Sequence, residues 1–548
     1  MHKPLATRPA KAWHPALGDI GAGGGTLLAL VAVAGALVVR GGVYFSQWVP
    51  DVFIPLEGVL HIRAGQWPHR DFVTPVGSLW YLIHALLAQI VPLSARLLVG
   101  ANLLVALVAG GAALIVCVGK MPRALAMLCA FHAGMVALSP RQIGEGISHI
   151  SNNASYNRHC WALIGVIALA ALLPAPGRRR AAIDGAVAGL LIAACFYIKI
   201  TYAAAGIGFL GLALITARGF AGWRFAGVAG AVAGVVIAVA GLVTGDLPGY
   251  LADMRTAVSV LPDSSRLFES SLLLIHALPS LMLVVLVAVV AGARPDRATT
   301  LASPGLWAGL LTALAGIVIG IQNHPEPENP LLPLALLIAW IATRARSDGP
   351  WRFGARPGLF AIGAALVLSL SVDLLAVGWT MVAPIDTGAS TRWMAQTQIT
   401  DLRIGSGFTG PDLPLRAEIP QSDAQILTRW DEAMAMLRPH LGTRHDAIVL
   451  PFIWDNPFPM MLGLPPVRHE VAWWDVTRTF NDRRKPDPRL LLGPVDFVLV
   501  SRDYANPRTG EAMWDAYGST VTRDFRVVDH APHWDLWARK DCAIRRFC

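Results

Sequence analysis

Charge is scarce in this chain. Of its 548 residues only 15% are Asp, Glu, Lys or Arg, against roughly 25% in a soluble domain, which excludes an ordinary water-soluble globule. Cysteine is scarce too. The six cysteines show no CxxC spacing, which argues against a cysteine zinc site or a dithiol redox motif. Walker, Rossmann, GxSxG and HExxH signatures are missing. So are internal repeats and low-complexity tracts.

What is present is apolar sequence, 54% of the chain, with a mean hydropathy of +0.52. It is gathered into runs long enough to cross about 30 Å of hydrocarbon. The runs are continuous rather than alternating, which excludes a transmembrane β-barrel. Candidate spans cover Gly24–Tyr44, Val76–Val91, Leu97–Val118, Pro122–Leu138, Trp161–Leu173, Ala181–Ile198 and Tyr202–Ala217. Others cover Phe225–Val243, Leu272–Ala291, Gly305–Ile321, Leu331–Thr343 and Leu359–Val382. The fold class expected is a polytopic α-helical membrane protein of about 11–13 spans. Cys117, Cys129, Cys160 and Cys195 lie in or beside these runs and read as small buried hydrophobes.

The formal net charge of +9 has a topological reading, because Lys and Arg cluster between the runs. Nucleic acid is therefore not an expected partner; membrane lipid is. Lys3, Arg8 and Lys11 precede the first run, which reads as an uncleaved helix with a cytoplasmic N-terminus. Arg178–Arg180, Arg218 with Arg224, Arg294 with Arg297, and Arg344–Arg356 mark later inside loops. The first loop and everything after Val382 then fall outside. One conflict remains. Three apolar runs separate the first loop from Ser139–His159, yet both belong outside, so one run between residues 76 and 138 must fail to cross.

From Pro384 the composition turns polar and rich in Trp and Pro. Residues 384–548 are long enough for one domain, against 1–383 for the membrane part with its outer loop at 46–75. His445–Phe452 and Val495–Asp503 read as buried strands and Ile426–Leu441 as a helix, so an extracytoplasmic α/β domain is expected. Cys542 and Cys548, if outside, are free to pair.

Chemistry concentrates between Trp48 and Tyr81. Asp51 follows Pro50 at the end of the first run, where a carboxylate can serve as a general base or bind a divalent cation; a solvated interfacial acid is the plainer alternative. Glu57 falls on the polar face of an amphipathic stretch. Asp71, in HRDF, either assists or pairs with Arg70. The second outer loop, RQIGEGISHISNNASYNRHCW, offers Glu145 and Arg158, the latter a candidate partner for phosphate. Lys199 sits between two runs, where an ammonium needs an anionic partner or water; it is a candidate contact for a lipid-linked phosphate, with snorkelling to the interface as the alternative. His324 and Glu326, in QNHPEPEN, are candidate acceptor or metal ligands. In the last domain WDNPFP and His469–Glu470 with Trp473–Trp474 stand out, either as an acceptor platform or as core.

The first loop resembles that of the GT-C glycosyltransferases, among them lipid A aminoarabinose transferases and protein O-mannosyltransferases. The resemblance rests on order: Asp51, then Phe53–Ala64, then Gly65–Gln66–Trp67, then Thr74–Pro75 before Gly77–Ser78–Leu79–Trp80–Tyr81. It implies a polyprenyl-phosphate-linked sugar as donor, a lipid, glycan or protein as acceptor, and a bacterial inner membrane as setting. Asp51 then matches the acid that activates the acceptor or binds Mg, Mn or Zn. The chain departs from the pattern in its second outer loop, which has no Asp. A flippase of lipid-linked sugars or a non-catalytic assembly factor are the alternatives.

Overall fold

The computed structural model describes residues 17–151, 154–175, 177–216, 220–260, 278, 281–286, 304–323, 328–344, 356–397, 399–406, 423–476, 478–502 and 507–540. It is a polytopic helical membrane protein with an α/β region after Val382. Five helices among the described residues are long and apolar enough to cross a bilayer, among them α1 (Leu17–Val38), α4 (Ala95–Cys117) and α7 (Arg178–Ile198). Shorter apolar helices pack among them, including α5 (Arg123–Leu138) and α8 (Ile200–Thr216). The first loop holds α2 (Phe53–Arg63) and α3 (Ser78–Leu87), and α6 (Ser155–Leu172) follows the second loop.

Strand β1 (Val43–Phe45), just past α1, pairs in parallel with β2 (Leu402–Ile404), Val43 opposite Leu402. That pairing defines one face of the bundle. Ser46 bonds Ser148 and Ile150 on the same face. Asp401, beside β2, accepts the Ala95 and Arg96 N–H groups at 2.8 and 2.9 Å, so the start of α4 lies there too. The opposite face carries Asp19 with Arg123 at 2.8 Å, and Lys120 with Asp184 at 2.7 Å.

These contacts resolve the topological conflict. Both ends of the stretch from the first loop to α4 sit on the β1–β2 face, so α3 is the run that does not cross. It has 10 residues, about 15 Å at 1.5 Å per residue, half the hydrocarbon depth. Gly77 starts it: a Cβ there would lie 2.2 Å from the Tyr197 carbonyl oxygen, so only glycine permits this approach.

The sheet after Val382 has the order β3 (Val449–Phe452), β4 (Phe497–Ser501), β6 (Trp534–Arg539), β5 (Phe525–His530). Strands β3 and β4 are parallel and the other pairs antiparallel. The first two, and the helix Asp423–Leu441, fall where the sequence predicts them; β5 and β6 were not anticipated. Pro451 lies in β3, an edge strand, where a missing N–H costs no ladder bond. Cys542 and Cys548 lie outside the described residues.

Candidate active site and metal centre

Helix α2 forms the floor of the site. Val49–Val52 is a 3-10 turn carrying Asp51 into it. Glu57 and His61 are four residues apart, so they share one face of the helix. Gly58 lets Tyr81 of α3 press against α2, since a Cβ would fall 2.1 Å from the ring. The face expected to meet water does not. Phe53, Leu56, Glu57, Gly58, Val59 and His61 are all buried. The expectation of a solvated Glu57 is thus corrected: the C-terminal region lies over that face and takes it out of solvent.

The covering wall comes from two C-terminal segments. One is Trp454–Asn456, which follows the carboxyl end of β3. The other runs from Arg468 to Trp474 and is tied to the first loop by backbone bonds. Val73 N–H donates to Glu470 O and Ala472 N–H to Val73 O, both at 2.9 Å, and His469 N–H to Asp71 O at 2.6 Å. Asp71 belongs to this seam. Its carboxylate accepts the Trp67 N–H at 2.7 Å and Arg468 at 2.5 Å, with Arg70 farther off at 3.9 Å. Burial pushes its carboxyl up, but the Trp67 N–H and Arg468 outweigh burial and hold it below the usual range. The structure thus makes Asp71 a fastener of the C-terminal region; the Arg70 pair is secondary.

Between floor and wall sit Asp51, Glu57, Asp455 and Glu470, all buried, with His61 and Asn456. Ligating atoms of Glu57, His61 and Glu470 lie within 4.8 Å of one another, the one such group among the described residues able to hold a metal ion. The His61 ring stacks on Phe72 at 4.4 Å. Its Nδ1 meets Gln66 Oε1 at 2.6 Å, and the Gln66 amide nitrogen donates to Pro466 O at 3.2 Å. Gln66 therefore presents its oxygen to the Nδ1–H, and Nε2 faces Glu470 Oε1 at 3.2 Å, with a lone pair when the ring is neutral. Two acceptors at that distance repel unless a cation or proton lies between them. Glu57 Oε1, His61 Nε2, Glu470 Oε1 and both Asp455 oxygens have no hydrogen-bond partner in the protein. Burial, then the charges of Glu470 and Asp455, push the Glu57 carboxyl well above its ordinary range. Burial and then Asp51 do the same to Asp455.

Two stacked aromatic rings connect the covering segment with Lys199. Trp473, three residues past Glu470, stacks with Tyr156 at 6.4 Å and 17°. Lys199 Nζ lies 4.9 Å over the Tyr156 ring and donates to Asn157 Oδ1 at 2.9 Å. Lys199 holds this place because α7 ends there in an extended residue.

The other expected residues lie elsewhere. Arg158 turns into the bundle toward Asp373 at 3.5 Å, and Asp373 also pairs with Arg141 at 2.9 Å. An arginine committed to that network is not shown facing the cluster. Glu145 pairs with His149 at 3.0 Å. His324 and Glu326 lie outside the described residues; their neighbour Glu328 pairs with Arg141 at 2.7 Å. Sequence reasoning missed His61 and Asp455 as site residues. The Glu57–His61 spacing on a helix was a usable signal for the first; the second lies within WDNPFP, singled out for its aromatic residues rather than for its acid.

No family model matches the chain, and no curated protein matches it. Among solved structures it is similar to the archaeal oligosaccharyltransferase AglB from Archaeoglobus fulgidus in complex with an inhibitory peptide and a dolichol-phosphate. That match has 11% identity and a TM-score of 0.39, over 97% of this chain and 76% of that one. It is also similar to ArnT from Cupriavidus metallidurans bound to undecaprenyl phosphate, at 11% identity and TM-score 0.38, over 94% of this chain and 98% of the other. A second Archaeoglobus fulgidus oligosaccharyltransferase, in complex with Zn and sulfate, matches at 12% identity and TM-score 0.35, over 87% of this chain and 68% of that one. With TM-scores below 0.5, these likenesses decide no reaction.

Proposed function

We propose that this chain is an integral-membrane glycosyltransferase that moves a sugar from a polyprenyl-phosphate carrier to a lipid, glycan or protein acceptor. The observation that carries the reading is the buried carboxylate cluster around Asp51. It is covered by the C-terminal region, whose Trp473 stacks on the Tyr156 ring that lies beneath Lys199. Buried acids beside the membrane, with an ammonium held over the Tyr156 ring nearby, suit displacement at an anomeric carbon.

In this reading Asp51 takes the proton of an acceptor hydroxyl, whose oxygen then bonds to the anomeric carbon. The bond from that carbon to the phosphate oxygen breaks, and its electron pair leaves with the polyprenyl phosphate. Lys199 offers positive charge to the departing phosphate from its place over Tyr156. Asp71 acts indirectly, by holding the wall in place. Residues 1–383 form the membrane part and 384–548 the covering domain. The covering domain is taken as extracytoplasmic and the membrane as the inner membrane of a bacterium, with the N-terminus in the cytoplasm.

The test is transfer by purified protein from a panel of lipid-phosphate sugars, with and without divalent cation. An Asp51→Asn variant that folds and inserts should lose transfer by about 100-fold or more, the scale of a positioned base. Near-normal transfer would remove Asp51 from catalysis. Movement of the lipid-linked sugar across vesicles without any transfer product would favour the flippase instead.

A further inference from the structure

We propose that Glu57, His61 and Glu470 form a zinc site that clamps the C-terminal region onto the first loop. The inference rests on and deepens the glycosyltransferase reading by adding a positioning device to the same cluster, and it keeps the ion separate from Asp51, the proposed base.

The ligand atoms converge within 4.8 Å, and each ligand residue is at least nine-tenths buried. Glu57 Oε1, His61 Nε2 and Glu470 Oε1 lack hydrogen-bond partners in the protein. Buried polar atoms are ordinarily satisfied, so three converging orphans ask for a shared partner. A metal cation can take all three at once, whereas a single proton can join only two of them. The support around the ligands points the same way. Gln66 fixes the His61 tautomer from the far side of the ring, and Asn456 Nδ2 reaches the second Glu470 oxygen at 3.4 Å. Metal-bound imidazoles and carboxylates are oriented through such outer contacts.

One imidazole and two carboxylates in a compact dry site favour zinc. Magnesium and calcium take oxygen ligands and larger shells, and imidazole suits the later transition ions. Three protein ligands leave a fourth position for water. Two ligands come from α2 and the third from a segment more than four hundred positions away, so the ion would staple floor to wall.

The experiment uses the full-length, untagged protein in detergent, stripped with EDTA and dialysed. Zinc is titrated against a chromophoric chelator, and cobalt is added separately to read its visible absorption. One zinc per chain is expected, with the stronger absorption of four-coordinate cobalt. Glu470→Gln should weaken zinc by about 100-fold or more. Gln66→Ala, which leaves all ligands in place, should weaken it by about 10- to 100-fold. Zinc should also slow proteolysis in the 468–474 segment in the parent and not in Glu470→Gln. No stoichiometric zinc, zinc binding indifferent to Glu470→Gln, or tighter binding of manganese than zinc would each overturn the assignment. Asp51→Asn should keep its zinc while losing transfer; zinc bound by a parent protein that transfers no sugar from any donor of the panel would sink the enzymatic reading and leave this one standing.

Discussion

The seam between first loop and C-terminal region is held by few polar contacts, and Asp71 is the strongest of them. Replacing it by Asn keeps an oxygen for the Trp67 N–H but removes the charge that holds Arg468 at 2.5 Å. Breaking a wholly buried ion pair costs roughly 3–5 kcal/mol. Arg468 keeps 58% of its side chain in solvent, so its charge is not stranded, and the loss falls to about 1–2 kcal/mol. Asp71→Ala also orphans the Trp67 N–H and should cost about 2–4 kcal/mol. Hydrogen exchange reads this locally, at the amides of Val73, His469 and Ala472, which bond across the seam. A 1–2 kcal/mol loss speeds exchange through local opening by about 5- to 30-fold. The pH dependence follows with its sign. Asp71 is held below the usual carboxylate range, so its contribution is complete above the unfolded value of about 3.9 and is lost as pH falls through the folded value. Protection at the seam, corrected for intrinsic exchange, should hold from neutrality to about pH 4 and then collapse; in Asp71→Asn that collapse should vanish. Equal protection in parent and Asp71→Asn would refute the fastening role.

In metal-free protein the Glu57 carboxyl titrates well above its ordinary range, so the stability it contributes is full at acid pH and is lost as pH rises through the folded value. Glu57→Gln should flatten that decline in melting temperature measured in EDTA, and should abolish the stabilisation that zinc gives the parent. Gly77→Ala places a methyl 2.2 Å from a carbonyl oxygen and should destabilise by about 1–3 kcal/mol or more, seen as a lower melting temperature in detergent. Gly146→Ala, with open space around it, should leave that temperature unchanged. If α3 does not cross, Pro92→Cys and Arg483→Cys should react with an impermeant thiol reagent from the same side of sealed vesicles, and Arg179→Cys from the other. Labelling of Pro92→Cys together with Arg179→Cys would overturn the half-helix.

How much of this was legible in the chain divides by sequence distance. The bundle follows from apolar run length, and the failure of one run to cross follows from counting charges; both are local sums. Which run fails was not legible, because the deciding contact is Asp401 on the start of α4, 306 residues apart. Asp51 and the order of the first loop were readable, as were β3, β4 and the helix Asp423–Leu441. Glu57 was misread for a physical reason. An acid among hydrophobes at helical spacing looks like the wet face of an amphipathic helix, and nothing within the helix reveals that another part of the chain will cover it. Asp71 shows the same limit: Arg70 is adjacent, yet the partner that matters is Arg468, 397 residues away.

The cluster also says why the site is divided between two parts of the chain. The Glu57 and Glu470 carboxylates, with ligating oxygens within 4.8 Å of each other, would repel by about 3.5 kcal/mol or more at an effective dielectric of about 20, and Asp455 and Asp51 add like charge beside them. With the C-terminal region away, water would screen the charges of Asp51 and Glu57. Docking brings Asp455 and Glu470 against them and removes the water. The cluster must then take up protons or a cation, which is the strain visible in the raised Glu57 and Asp455 carboxyls. A proton on Asp455 or a divalent ion on the triad relieves the same repulsion, and either one takes a negative charge away from the surroundings of Asp51. Closure of the wall and adjustment of the charge around the proposed base are therefore one event. Loosening the seam through Asp71 should disturb the pH profile of transfer as well as its rate, whereas a defect confined to acceptor binding would leave that profile in place.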